Sequence, residues 1–110
     1  MKEELAKKRC LPCDEAKGHL MAEEMAMLMK NVPEWKLEEF HHITRVFHFK
    51  NFAEAFVFVN KVGALADSEG HHPDIEFGWG YVKIKLTTHA VDGLTENDFI
   101  VATKIDLLRH

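Results

Sequence analysis

Residues 51–75 read NFAEAFVFVNKVGALADSEGHHPDI, and this stretch decides how the rest of the chain folds. Asn51 stands where a helix N-cap belongs, with Glu54 at the third helical position. Phe52, Ala55, Phe56, Val59, Val62, Gly63 and Ala66 then form one apolar stripe at helical spacing. The pattern stops at Asp67-Ser68-Glu69-Gly70, where Gly70 can adopt the left-handed conformation common after a helix end. His71-His72-Pro73 follows at once. A residue before proline is pushed toward extended geometry, so His72 has left the helix and Pro73 stiffens the segment that presents both imidazoles.

Reading outward from this helix, residues 75–81 and 82–88 are extended, with Val82, Ile84 and Leu86 alternating against Lys83, Lys85 and Thr87. Gly93-Leu94-Thr95 then opens a last helix. Thr95 is its N-cap, Asp98 its third position, and Phe99, Ala102, Ile105 and Leu108 face inward. In the other direction, residues 35–40 and 43–49 form a hairpin joined near His41-His42, its second strand alternating through Ile43, Arg45, Phe47 and Phe49. Before it, Leu20, Met21, Met25, Leu28 and Met29 lie at helical spacing within residues 19–31, a pattern ended by Val32-Pro33. A methionine stripe at this spacing is read as core packing. The order is helix, two strands, helix, two strands, helix. Hairpin-length links rule out a parallel sheet and predict an α+β fold in two layers, a four-stranded antiparallel sheet with three helices on one face.

With 110 residues, 46% of them hydrophobic, the chain has material for one core and no second, so residues 1–110 are expected to form a single domain with a loose start over residues 1–9. The formal net charge of -4 is spread over interspersed acids and bases, without the basic patch that nucleic-acid binding needs. The amino terminus MKEELAKKRC is charged where a signal peptide would be apolar, and no apolar run is long enough to span a bilayer. A cytoplasmic protein that binds neither nucleic acid nor membrane is expected. Cys10 and Cys13 have a CxxC spacing, but the segment before them shows no strand pattern and no second CxxC completes a zinc site. They are read as ordinary thiols, with a mixed site including His19 as the lesser alternative.

The one compositional anomaly is eight histidines, at positions 19, 41, 42, 48, 71, 72, 89 and 110. Histidine exchanges protons near neutral pH, so a cluster suits acid/base chemistry on a small molecule. His71 and His72 lie beside a helix end, and His89 closes a strand before the loop of residues 90–94, which are places where sites are built. Asp67, Asp74 or Asp98 could orient a ring. His19, His48, His110 and the His41-His42 pair are read as surface histidines.

The ordered set Glu69-Gly70-His71-His72-Pro73-Asp74-Ile75, then Tyr81, Thr87-Thr88-His89 and Gly93-Leu94-Thr95-Glu96-Asn97-Asp98-Phe99, resembles the pterin-4a-carbinolamine dehydratases. The resemblance extends through residues 49–55 and 58–62 and covers about residues 10–106. It implies an antiparallel four-stranded sheet with three helices on one side. It also implies loss of water from a 4a-hydroxytetrahydropterin, giving the quinonoid dihydropterin that is reduced for reuse by aromatic amino acid hydroxylases. No metal or organic cofactor is implied. One group must protonate the departing 4a-hydroxyl while another takes the N5 proton. Motif matching puts His71, His72 and His89 in the pocket, with His71 and His89 expected as the acid/base pair and His72 positioning the pterin. Asp98 is expected both to orient and to cap, and Pro73 to hold the segment. Asp67 stands where relatives often carry glutamate, and Ile75 where animal members have tryptophan, which points to a bacterial source. A homodimer or homotetramer is implied.

Three alternatives come from other classes. Animal members also serve as a dimerisation cofactor of a transcription factor, other members are associated with molybdopterin metabolism, and three imidazoles could bind zinc. Adjacent histidines rarely both reach one ion, which ranks the metal centre last.

Overall fold

The computed structural model describes residues 2–8 and 19–109. Cys10, Cys13 and His110 lie outside the described residues. The elements run α1 (Lys2–Lys7), α2 (Ala22–Met29), β1 (Lys36–Glu38), β2 (His42–His48), α3 (Phe52–Glu69), β3 (Asp74–Gly78), β4 (Tyr81–Leu86) and α4 (Glu96–Leu108), with a 3₁₀ turn His89–Val91 before α4. The sheet order is β1-β2-β4-β3, and every pairing is antiparallel. This is the expected α+β fold.

Strand register sorts the side chains by face. Ile43, Arg45 and Phe47 of β2 lie opposite Leu86, Ile84 and Val82 of β4, and Ile75 and Phe77 of β3 continue the same row. Successive strand residues point to opposite faces, so Lys83, Lys85, His42, His48 and Glu76 fall on the other side. The first face is buried under the helices, with Ile43, Val82, Ile84 and Leu86 fully enclosed. Arg45 is the one charge in this row. Its guanidinium reaches Asp106 of α4 at 2.7 Å and stacks 4.2 Å from the Phe47 ring centroid. The Trp35 indole N–H donates to the same carboxylate at 2.8 Å, tying the start of β1 to α4.

Four details depart from the sequence reading, each for a local reason. Lys2–Lys7 form a helix within residues 1–9, where a loose segment was expected. Leu5 buries itself in the core, and α1 packs on α4. The first amphipathic helix is shorter than residues 19–31, because Leu20 spends its amide on the Leu94 carbonyl and Met21 becomes the N-cap. In α3 the buried row is Ala55, Phe58, Val62 and Ala66, while Phe52 and Phe56 stay half exposed and stack with Phe77 of β3. The second hairpin turns at Trp79-Gly80, two residues before the expected break. Gly80 supplies the left-handed φ of 81° there, and Tyr81 opens β4.

The helix ends that frame the site follow the sequence closely. Asn51 Oδ1 accepts the Glu54 amide at 2.9 Å, and Gly70 closes α3 with φ 66°. Helix α4 is buried on nearly all sides, with Phe99, Ile100, Val101, Ala102 and Ile105 enclosed. No helix among the described residues is long and apolar enough to cross a membrane.

Candidate active site

Gly70 turns the chain sharply out of α3, and the amide of His71 still bonds back to the Ala66 carbonyl at 3.2 Å. This swings the His71 ring inward, where it is only 7% exposed. Its Nε2 lies 2.6 Å from Oδ1 of Asp98, a carboxylate that is 0% exposed. A buried carboxylate is stable only when donors satisfy its oxygens. Asp98 has them: Oδ2 accepts the Thr88 hydroxyl at 2.8 Å and the Thr95 amide at 2.9 Å. Asp98 therefore orients a histidine and caps α4 at once, two functions that fall on separate oxygens. With Nε2 of His71 donating to Asp98, Nδ1 is the ring nitrogen that can accept from another partner.

His72 points the other way. It is exposed, and its Nε2 meets Asp67 Oδ1 at 2.9 Å across the last turn of α3. An exposed pair of this kind contributes about 1 kcal/mol or less to stability, so its value lies in fixing the ring. His72, Asp67, Pro73 and Ile75 line one wall of a cleft of about 420 Å³, and Asn60, Gly63 and Ala64 of α3 line its floor. A Cβ built on Gly63 would meet nothing within 4 Å. The floor there is bare.

His89 sits on the 3₁₀ turn directly after Thr88, with an exposed side chain. It does not line the cleft, and no hydrogen bond holds its ring among the described residues. The structure thus joins His71, Asp98 and Thr88 by hydrogen bonds, gathers His72, Asp67 and Pro73 at the cleft, and brings His89 in only through the backbone of Thr88. A second concavity of about 350 Å³, between Phe49, Val57, Leu108 and Arg109, contains none of the expected site residues.

Two features escaped the sequence reading, the hydroxyl of Thr88 and the engagement of the His41-His42 pair. Thr88 and Thr95 both serve Asp98. Thr95 was read as the N-cap three residues before that acid, whereas nothing marks the Thr88 hydroxyl before the fold closes. The His41-His42 pair is more engaged than a surface pair, with His41 Nε2 2.9 Å from Asp92 Oδ1 and the two Nδ1 atoms 3.2 Å apart. Among the described residues, no three histidine, cysteine or acidic side chains are grouped to hold a metal ion.

The family model for pterin 4 alpha carbinolamine dehydratase matches residues 18–108. The chain belongs to the pterin-4a-carbinolamine dehydratase family. Among its relatives, a protein of Rubrobacter xylanophilus described as a pterin-4-alpha-carbinolamine dehydratase is 50% identical over 96% of this chain and 98% of its own length. One of Methylococcus capsulatus, described in the same words, is 48% identical over 94% of this chain and 92% of its own length. The crystal structure of a transcriptional coactivator/pterin dehydratase from Brucella melitensis superposes with a TM-score of 0.79 at 30% identity, covering 84% of this chain and all of that one. A pterin dehydratase-like RuBisCO assembly factor of the alpha-carboxysome superposes at 0.60 with 27% identity, covering 69% of this chain and 89% of that one. The dehydratase fold thus serves proteins whose described roles differ.

Proposed function

We propose that this chain dehydrates a 4a-hydroxytetrahydropterin to the quinonoid dihydropterin in the cytoplasm, supporting the recycling of tetrahydropterin used by aromatic amino acid hydroxylases. The family supports the activity. The observation that carries its chemistry is the 2.6 Å bond between His71 and the buried Asp98, which fixes one ring nitrogen and leaves the other to work. The C4a–O bond breaks, the hydroxyl leaves as water with a proton from an acid, and N5 loses its proton to a base. His71 is the base in this reading, since a carboxylate on Nε2 stabilises the imidazolium that forms. His89, exposed and in contact with solvent, is the acid. His72, held by Asp67 at the wall of the cleft stiffened by Pro73, positions the pterin.

The whole 110-residue chain acts as one unit in this proposal, as a homodimer or homotetramer. Support comes from β3, an edge strand, and from the half-exposed Phe52 and Phe56 stacked beside it, surface that a second copy would cover.

The test generates the 4a-carbinolamine with a hydroxylase and follows its decay spectroscopically. Catalytic amounts of this protein should speed the decay. The same decay with and without folded protein would reject the activity and leave a binding role, the second reading suggested by the coactivator description of the Brucella relative.

A further inference from the structure

We infer that Thr88 is a positioning residue that sets the geometry of both proton-transferring histidines. This rests on the acid/base reading of His71 and His89. The hydroxyl of Thr88 has one proton, and the distance of 2.8 Å to Asp98 Oδ2 commits it to the carboxylate. The Thr95 hydroxyl, 2.9 Å from the Thr88 hydroxyl, must then be the donor in that contact. The bonds run in one direction: Thr95 to Thr88, Thr88 to Asp98, with His71 donating to the opposite carboxylate oxygen. Thr88 is 1% exposed, so this chain of bonds runs inside the protein.

The consequence is mechanical. Without the Thr88 hydroxyl, the carboxylate of Asp98 would be held by one bond at each oxygen, the Thr95 amide on Oδ2 and His71 on Oδ1, and its plane would be less firmly set. The second donor from Thr88 fixes the plane of the carboxylate and so the direction of Oδ1, which decides where the His71 ring stands. The backbone of the same residue shapes the turn that carries His89. The Thr88 amide donates to the Gly93 carbonyl at 2.8 Å, and its carbonyl accepts from Val91 at 3.2 Å and Gly93 at 3.3 Å. One threonine therefore links the buried ring to the exposed one, which no hydrogen bond of their own connects.

The experiment compares Thr88→Val, nearly isosteric but without the hydroxyl, with Thr88→Ser, which keeps it. Thr103→Val serves as reference, since among the described residues that buried hydroxyl bonds the Phe99 carbonyl of its own helix and nothing at the site. Carbinolamine decay gives kcat, KM and the pH profile, and nitrogen-15 NMR of the imidazoles reports the tautomer of His71. Thr88→Val should lower kcat by roughly 10-fold or more with KM little changed, the scale of an outer hydrogen bond that orients an active group. It should also alter the pH profile and mix the His71 tautomers. Thr88→Ser should restore all three, and Thr103→Val should change none. A folded Thr88→Val with wild-type kcat, pH profile and tautomer would overturn the inference. Should that variant not fold, the wild-type spectrum still decides, because a His71 protonated on Nδ1 rather than Nε2 contradicts the bond chain. An inactive wild type would reject the dehydratase reading; the His71 tautomer of Thr88→Val against wild type then decides the positioning by Thr88, with mixed tautomers supporting it and an unchanged tautomer overturning it.

Discussion

Replacing Asp98 with asparagine separates the structural and chemical work of one buried carboxylate. Asp98 receives three donors, two on Oδ2 and one on Oδ1. An asparagine can keep its oxygen toward Thr88 and Thr95, which places the amide NH₂ against Nε2 of His71. Two donors then face each other unless the ring moves its proton to Nδ1. That shift rescues the contact as a neutral hydrogen bond but puts the proton on Nδ1, the nitrogen that has to act as the base. Three charge-assisted bonds become neutral ones, each weaker by about 0.5 kcal/mol, so Asp98→Asn should cost about 1–2 kcal/mol of stability. At about 4 °C per kcal/mol for a chain of this size, the melting point should fall by about 4–8 °C. Turnover should fall much further, by roughly 100-fold or more, or about 2.7 kcal/mol in the barrier. The assays are calorimetry and carbinolamine decay on the same preparation. A folded Asp98→Asn with near-normal turnover would mean that the His71 tautomer has no bearing on the reaction.

Other expectations concern the frame. Asp106→Ala should lose about 3 kcal/mol in chemical denaturation, since it strands the Arg45 guanidinium and the Trp35 indole N–H that meet on that carboxylate. Gly70→Ala should cost about 1–2 kcal/mol, measured the same way, although its added Cβ meets nothing within 4 Å; the penalty is the left-handed backbone at φ 66°. The Thr44 hydroxyl, 2.6 Å away, holds the Glu38 carboxyl below its ordinary pKa. A lowered carboxylate contributes stability above its unfolded pKa and loses it as pH falls through the folded value. Denaturation of Thr44→Val against wild type should therefore show a gap that is widest near neutrality and closes in acid.

The elements were legible where local signals agree. Asn51, Gly70 and Thr95 mark helix ends through single side chains or a single φ, and the alternation of Val82, Ile84 and Leu86 fixes a strand with one buried face. What stayed hidden depends on packing between distant segments. The apolar row of α3 reads as one broad stripe in sequence, and only the position of β3 decides that Phe58 goes inward while Phe52 and Phe56 stay at the edge. Leu5 looks like part of a charged tail until α4 offers it a surface. The site divides in the same way. His71, His72 and Asp98 stood out by type and spacing, yet nothing local foretold that the adjacent rings point apart, one to a buried carboxylate and one to a cleft. Thr88 stood within the Thr87-Thr88-His89 run, but its hydroxyl gave no signal of its own, because it matters only once the segment after β4 meets the start of α4.

Acid/base catalysis by His71 and His89 is read out by the rate of 4a-carbinolamine decay with wild type, His71→Ala and His89→Ala, each confirmed as folded. Wild type should accelerate the decay, and each substitution should reduce turnover by roughly 100-fold or more. Near-normal rates in both variants would contradict the account.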